Sequence, residues 1–152
     1  MLERIRFLTA GESHGKGLLG IIEGLPSNIK ISETYVKQHL SRRQKGHGRG
    51  GRMKIEDDFA EFIGGVRYGE TLGGPIGIQI KNKDWENWKD VMDHNIPEKP
   101  SKPITMLRPG HADLAGLQKF GMNDIRNILE RSSARETTMR VAFCLLYTSD
   151  AA

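Results

Sequence analysis

Any fold of this chain has to accommodate the segment Arg42-Arg43-Gln44-Lys45-Gly46-His47-Gly48-Arg49-Gly50-Gly51-Arg52. Five of its eleven residues are Lys or Arg, four are Gly and none is acidic. Glycine lets the backbone approach a ligand closely, and arginine offers a planar fork of donors matched to phosphate or carboxylate oxygens. Nothing adjacent in sequence neutralises this charge. The segment is therefore expected at the surface, either as a cradle for a polyanion or as a solvated basic loop. Gly46, Gly48 and Gly51 have the spacing of a dinucleotide fingerprint, but that motif needs a buried strand before it and a helix after it. A polar, helical segment precedes it here and Arg52-Met53-Lys54 follows, which excludes the dinucleotide reading.

The remaining glycines, out of 18, also fall in short clusters and form no single linker. Between the clusters, Ile5 and Phe7 alternate with arginines and predict a strand over Arg4–Ala10. Leu18–Glu23 predicts a second strand, closed by Gly24-Leu25-Pro26. The loop between them, Gly11-Glu12-Ser13-His14-Gly15-Lys16-Gly17, is one residue short of a P-loop and has Gly17 where Ser or Thr should hold magnesium. Ser32 caps a helix through about Leu40, with Tyr35, Val36, His39 and Leu40 on one side. Phe59–Val66 and Pro75–Ile80 are further strands; Ile76, Ile78 and Ile80 alternate strictly, so one sheet face is buried. Gly69–Pro75 is the turn between them, and Trp85 and Trp88 are expected to pack on that sheet. Asp93–Thr105 carries three prolines and is a loop. A short helix with Leu114, Leu117 and Phe120 ends at Gly121, and another runs from Asn123 through Leu129. Ser133 and Glu136 have capping-box spacing, which starts a last helix at Ala134.

A length of 152 residues suffices for one domain with a core. No apolar run is long enough to span a bilayer, the N-terminus leads into no signal-peptide core, and Cys144 is the sole cysteine. The cytoplasm is the expected location. A net charge of +4 and a pI near 9.3 favour anionic partners without separating a phosphorylated metabolite from nucleic acid.

Three pieces converge on anion chemistry: the basic segment, the helix start flanked by Arg131, Ser132, Ser133 and Arg135, and His111 beside Arg108 and Asp113. A loop histidine with a nearby carboxylate holds one tautomer and acts as an acid near neutral pH. His14 and His111 are the candidates. His39, His47 and His94 lack metal-ligand spacing, and no metal is expected.

Five segments in order resemble the chorismate synthase family. They are Gly11–Gly15 running on through Glu23-Gly24-Leu25-Pro26, Arg42–Arg49, Thr71-Leu72-Gly73-Gly74-Pro75, Arg108–Asp113 and Arg131–Thr137. The resemblance covers about Arg4 to Ala142, less than half of the usual family length. It implies an α+β fold, a β-α-β sandwich of antiparallel sheets around helices, of which this chain is an incomplete N-terminal portion, and a homotetrameric whole protein. It also implies a carbon–oxygen lyase of aromatic amino acid biosynthesis. The reaction converts 5-enolpyruvylshikimate 3-phosphate to chorismate by 1,4-anti elimination of phosphate, and it requires reduced FMN, which some members regenerate with NADPH. By motif position His14 protonates the departing phosphate, and His111 protonates the reduced flavin or holds its charge. Arg131, Ser132 and Ser133 contact FMN, Arg43 and Arg49 grip the substrate phosphate or NADPH, and Arg108 and Arg135 bind substrate.

After Arg140-Val141-Ala142 the family motif continues into small residues, whereas Phe143–Ala152 departs from it. Residues 1–142 are thus expected to be the family portion and 143–152 a non-native tail, leaving the chain inactive and marginally folded alone. Two rival readings stand beside this one. A nucleic-acid binding module rests on Arg49-Gly50-Gly51-Arg52, but that run does not repeat and holds no aromatic residue to stack on bases. A flavin-binding fragment without catalysis is the other.

Overall fold

The computed structural model describes residues 5–45 and 55–148. Its main sheet grows from the alternation of three isoleucines. Ile76, Ile78 and Ile80 lie on one side of β7 (Ile76–Lys81) and are fully buried. β7 pairs with β2 (Gly17–Glu23) on one edge and β4 (Ala60–Gly64) on the other, and β1 (Arg6–Gly11) extends the sheet beyond β2. All three pairings are antiparallel. The register sets Leu18 opposite Ile80, Gly20 opposite Ile78 and Ile22 opposite Ile76, so one face is continuously apolar. Leu8, Leu19 and Ile21 are exposed on the other face.

Helices cover the apolar face. α1 (Glu33–Gln44) contributes Val36 and Leu40, and α5 (Thr137–Thr148) contributes Met139, Ala142, Phe143 and Leu146. Each large apolar side chain buried here stabilises the fold by about 1.5–3 kcal/mol. Gly20 lets α5 sit directly on the sheet: a Cβ there would lie 2.3 Å from Phe143 Cζ and 2.8 Å from Met139 Sδ. Phe143 and Leu146, in the segment expected as a tail, are part of this layer.

A second antiparallel sheet has the order β3-β6-β5, from β3 (Ser27–Lys30), β5 (Val66–Arg67) and β6 (Glu70–Leu72). The single strand expected over Phe59–Val66 is therefore divided between two sheets. Gly65, at φ +84° and with its Cβ direction only 2.3 Å from Pro75 O, makes the crossing. The Gly69–Pro75 turn contains β6.

Ser32 caps α1, accepting from Tyr35 N–H at 3.4 Å, and the helix runs four residues past Leu40. Arg42 and Arg43 thereby occupy its last turn, where the helix dipole favours cations. Tyr35 and His39 do not join the buried side: Tyr35 is exposed and its ring lies 4.6 Å from that of His39. Beyond the sheets, a 3-10 turn (Lys83–Asn87) leads into α2 (Lys89–Met92), then a segment without helix or strand up to α3 (Asp113–Phe120). Gly121 ends α3 in the left-handed conformation, and α4 (Arg126–Arg131) follows.

Only half of the expected capping box forms. Ser133 Oγ accepts from Arg135 N–H at 3.3 Å, but the Glu136 carboxylate is taken by Thr9 Oγ1 at 2.7 Å and Arg140 Nε at 2.8 Å. Ala134–Glu136 is a 3-10 turn ahead of α5. The two tryptophans are outside the hydrophobic core. Among the described residues no helix is long and apolar enough to cross a membrane.

Candidate active site

The loop between β1 and β2 is pinned from two sides. Asn82, just past β7, uses both amide protons: its Nδ2 donates to Glu12 O at 3.0 Å and to Gly15 O at 2.8 Å. Its backbone N–H donates to Lys16 O at 3.2 Å. From the other side, Ser13 N–H donates to Glu130 O at 2.9 Å and His14 N–H to Glu130 Oε2 at 3.0 Å. His14 Nδ1 lies 2.7 Å from the same carboxylate oxygen. The imidazole stacks on Trp88, with ring centroids 4.0 Å apart and 23° between planes. Its Nε2 lies 3.8 Å from Asp84 Oδ2, which also accepts from Trp88 Nε1 at 3.1 Å. Trp88, expected to pack on the sheet, instead forms one wall of the His14 site, held there by its indole N–H on Asp84. Trp85 lies beneath Lys16 Nζ, 5.6 Å from its ring centroid.

Glu130 reaches this loop because α4 is pressed against α3. Gly116 leaves the room: a Cβ there would come within 2.4 Å of Ile128 Cγ2. Ile128 and Glu130 are the buried residues of α4, one apolar and one charged. The next residue, Arg131, sends Nη2 to Thr9 O and Thr9 Oγ1, both at 2.8 Å, tying α4 to β1. Arg131 Nη1 is 3.9 Å from Glu136 Oε1 and has no hydrogen-bond partner among the described residues. Burial raises the Glu136 carboxyl, but Arg140, Thr9 and Arg131 outweigh it and hold the group below its ordinary value.

Arg131 and Ser132 line a cavity of about 660 Å³ between the His14 loop, α2, α3 and α4. Met92, Ala115, Phe120, Met122 and Ile128 give it apolar walls, and Glu12, His94, Lys119 and Asn127 give it polar ones. The apolar walls together with Lys119 and Arg131 suit a ligand with an apolar body and an anionic group.

His111 is organised locally. Its Nδ1 is 2.5 Å from Asp113 Oδ1, and Arg108 Nη2 lies 2.9 and 3.1 Å from its two ring nitrogens. Arg108 also donates to Asp113 through its backbone N–H at 2.9 Å and Nε at 3.2 Å. Side-chain hydrogen bonds from Arg108, foremost, bring the Asp113 carboxyl down to about 2 against the opposing effect of burial. Ala112 places this group at the rim of the cavity.

The arginines read as anion ligands are placed differently from one another. Arg43 Nη2 donates to Ala134 O and Thr137 Oγ1, both at 2.8 Å, and Nη1 is 3.9 Å from Asp58 Oδ2. With 9% of its side chain exposed, Arg43 departs from the surface placement expected of its segment, its neutralising carboxylate coming from fifteen residues on; Arg42 and Lys45 are exposed, and residues 46–52 lie outside the described residues. Arg135 is buried. Its Nη1 donates to Asp58 Oδ1, its Nε donates to Asn82 Oδ1 at 2.9 Å, and its Nη2 is 3.5 Å from Glu56 Oε2. Those donors face inward, so the substrate-ligand reading of Arg135 meets a guanidinium already engaged by protein groups. Ser133 caps the 3-10 turn, and Arg49 lies outside the described residues.

Sequence reasoning missed Glu130, Asp84, Asn82, Asp58 and Glu56. For the last two the sequence pointed the wrong way. Ile55, Asp57 and Phe59 are exposed while Glu56, Asp58 and Ala60 are buried, a strand-like alternation with the acids inside. Hydrophobicity would have turned that segment the other way. The buried Arg135 decides it.

A family model described as chorismate synthase matches residues 5–148. The chain belongs to the chorismate synthase family. The chorismate synthase of Aquifex aeolicus (strain VF5) is 59% identical over 142 residues, 93% of this chain and 36% of the relative. That of Sulfurihydrogenibium sp. (strain YO3AOP1) is 59% identical over 138 residues, 91% of this chain and 35% of the relative. A solved chorismate synthase structure superposes with a TM-score of 0.68 at 42% identity, covering 99% of this chain and 36% of that one. The architecture is thus a portion of the chorismate synthase fold, and the chain spans about a third of the length of the curated relatives it matches. The nucleic-acid reading has no support among these relatives.

Proposed function

We propose that this chain carries the His14 and His111 portion of a chorismate synthase that forms chorismate from 5-enolpyruvylshikimate 3-phosphate by 1,4-anti elimination of phosphate. The carrying observation is that the His14 loop and the Arg131-Ser132-Ser133 motif are one physical unit. Glu130, the residue before Arg131, accepts three hydrogen bonds from Ser13 and His14. An acid and an anion-binding motif joined in this way can meet one substrate at once.

In this reading His14 delivers its proton to the departing phosphate through Nε2, the ring nitrogen not held by Glu130. Arg49 attracts the substrate phosphate or the phosphate of NADPH, Arg43 adds its charge although its donors are engaged by Ala134, Thr137 and Asp58, and Arg108 orients substrate while sharing Asp113 with His111. Arg135 acts through others: it neutralises Asp58 and Glu56 and, with Asn82, holds the His14 loop in place. The cavity residues fit reduced FMN. Arg131 brings a cation and Ser132 a hydroxyl to the cavity wall, and the apolar walls give a place for a flat ring system. When bound, reduced FMN supplies electron density to the breaking C–O bond. His111, next to the lining residue Ala112, would hold a proton at a ring nitrogen for that ligand, and Ser133 steadies the motif through Arg135 N–H. The setting is cytoplasmic and the whole protein a homotetramer, as the family implies.

The test extends the chain with the remaining length of the Aquifex aeolicus relative. Chorismate formation is then followed anaerobically with chemically reduced FMN, and with NADPH plus oxidised FMN as a second arm. Turnover that falls about 10²–10⁴-fold in His14→Ala is expected. Flavin binding that is indifferent to substrate, with no turnover, would instead favour a binding fragment.

A further inference from the structure

We infer that Glu130 is the positioning residue that fixes the tautomer of His14, holding the proton of the neutral ring on Nδ1 and reserving Nε2 for transfer. The inference rests on the proposed role of His14 and deepens it.

The geometry gives Nδ1 no other partner. Glu130 Oε2 is 2.7 Å from Nδ1 and also accepts from the His14 backbone N–H at 3.0 Å. A single oxygen therefore grips both the ring and the main chain of one residue, which fixes the ring's rotation as well as its distance. A carboxylate only accepts, so Nδ1 must be the donor whenever the ring is neutral. The Glu130 side chain is 1% exposed, and His14 is its one ion-pair partner among the described residues. Its other oxygen, Oε1, is buried without a hydrogen-bond partner there. A side chain so placed has the contact to His14 as its one polar anchor among the described residues, and losing it leaves a buried polar group unpaired. The stacked Trp88 ring closes one face of the imidazole, leaving the edge that carries Nε2 directed toward Asp84 at 3.8 Å.

For an acid this arrangement has a clear consequence. The protonated ring loses the Nε2 proton and keeps the one on Nδ1, so each proton transfer leaves and returns at the same atom. A histidine freed from Glu130 samples both tautomers and spends time with the wrong nitrogen protonated. Glu130 touches neither substrate nor cofactor in this account; it acts through His14.

Nitrogen-15 NMR of selectively histidine-labelled chain, at a pH where the ring is neutral, reads the tautomer directly. The expected result is a His14 signal with protonated Nδ1 and bare Nε2, retained in Glu130→Gln, whose amide oxygen still accepts, and lost in Glu130→Ala. In the protein extended as above, Glu130→Ala lowers kcat by about 10²-fold with KM unchanged, and Glu130→Gln recovers part of that loss. A wild-type His14 protonated at Nε2 would overturn the inference even if turnover is normal. The expected tautomer in an extended protein that makes no chorismate would leave the inference standing and defeat the functional reading instead. Should Glu130→Ala fail to fold, the wild-type tautomer and the Glu130→Gln kinetics still decide: a Gln variant without Nδ1 protonation, or with kcat below that of His14→Ala, also overturns it.

Discussion

His14 and His111 each set Nδ1 against a carboxylate, 2.7 Å from Glu130 in one case and 2.5 Å from Asp113 in the other. The partners are 116 residues apart in the first pair and two apart in the second. His111 is arranged by its own motif: Arg108, His111 and Asp113 meet within a single turn of chain. His14 is arranged by the fold. It needs Asn82 after β7, Trp88 and Asp84 in the following turn, and Glu130 on α4, each delivered by a different element. The same local chemistry thus depends on global stability at one histidine and hardly at all at the other. Loosening the fold should dissolve the His14 site first.

The largest expected effect follows from Arg135, which ties the buried acids Asp58 and Glu56 to Asn82. Arg135→Ala takes the nearest cation from two buried carboxylates, leaving Asp58 to Arg43 and Glu56 to the Lys83 N–H, and is expected to cost about 3 kcal/mol, read from urea unfolding of the chain. Adding Asp58→Asn to that variant should recover part of the loss, since one buried charge that has lost its nearest partner is removed. A cost below about 1 kcal/mol would mean that water reaches these acids, and the contrast between the two histidines would weaken with it.

Asn82→Ala comes next, at about 2 kcal/mol, because the carbonyls of Glu12 and Gly15 and the Nε of Arg135 all lose a partner. Amide hydrogen exchange should accelerate from Glu12 to Lys16 and stay unchanged from Arg108 to Asp113. Equal acceleration in both loops would erase the comparison. Trp88→Leu should be smaller again, about 1 kcal/mol, the worth of an aromatic stack. Its specific sign is a broadened His14 ring resonance with the His111 ring untouched.

The same division explains what could be read from the sequence. Ser32 as a cap, the alternation of Ile76, Ile78 and Ile80, the stop at Gly121 and the Arg108–Asp113 cluster are all written within a few residues of themselves, and each is found. Sequence patterns failed where a distant group competes for a local one. Glu136 has the spacing to cap its own helix, yet Thr9 and Arg140 take its carboxylate. Glu56 and Asp58 carry charge that should face water, yet Arg135 draws them inside and Arg43 after them. Phe59–Val66 has strand composition throughout, yet Gly65 sends its end into a second sheet. The five motifs marked the family and named His14. None of them contained Glu130's role, because nothing near Glu130 in the chain tells which loop will fold against it.

The most local effect is expected at Asp113, and its sign separates the two sites. Arg108, above all, brings this carboxyl down to about 2, whereas an unfolded aspartate titrates near 3.9. A group whose folded value is depressed contributes stability that is present above the unfolded value and is lost as pH falls through the folded one. The contribution of Asp113 is therefore complete above about pH 4 and disappears as pH drops toward 2. Asp113→Asn removes that dependence. Asp93 is also held down, chiefly by the Asn95 backbone N–H, so both proteins lose stability in acid and the readout is their difference. Urea midpoints measured through this window should converge as pH falls, with the wild type ahead only at the upper end. Because Asp113 holds a local cluster and no distant element, the variant should leave the His14 ring resonance unmoved at every pH. A shift of that resonance in Asp113→Asn would show that the two histidines are coupled through the cavity between them, and that the local site is not as self-contained as its geometry makes it.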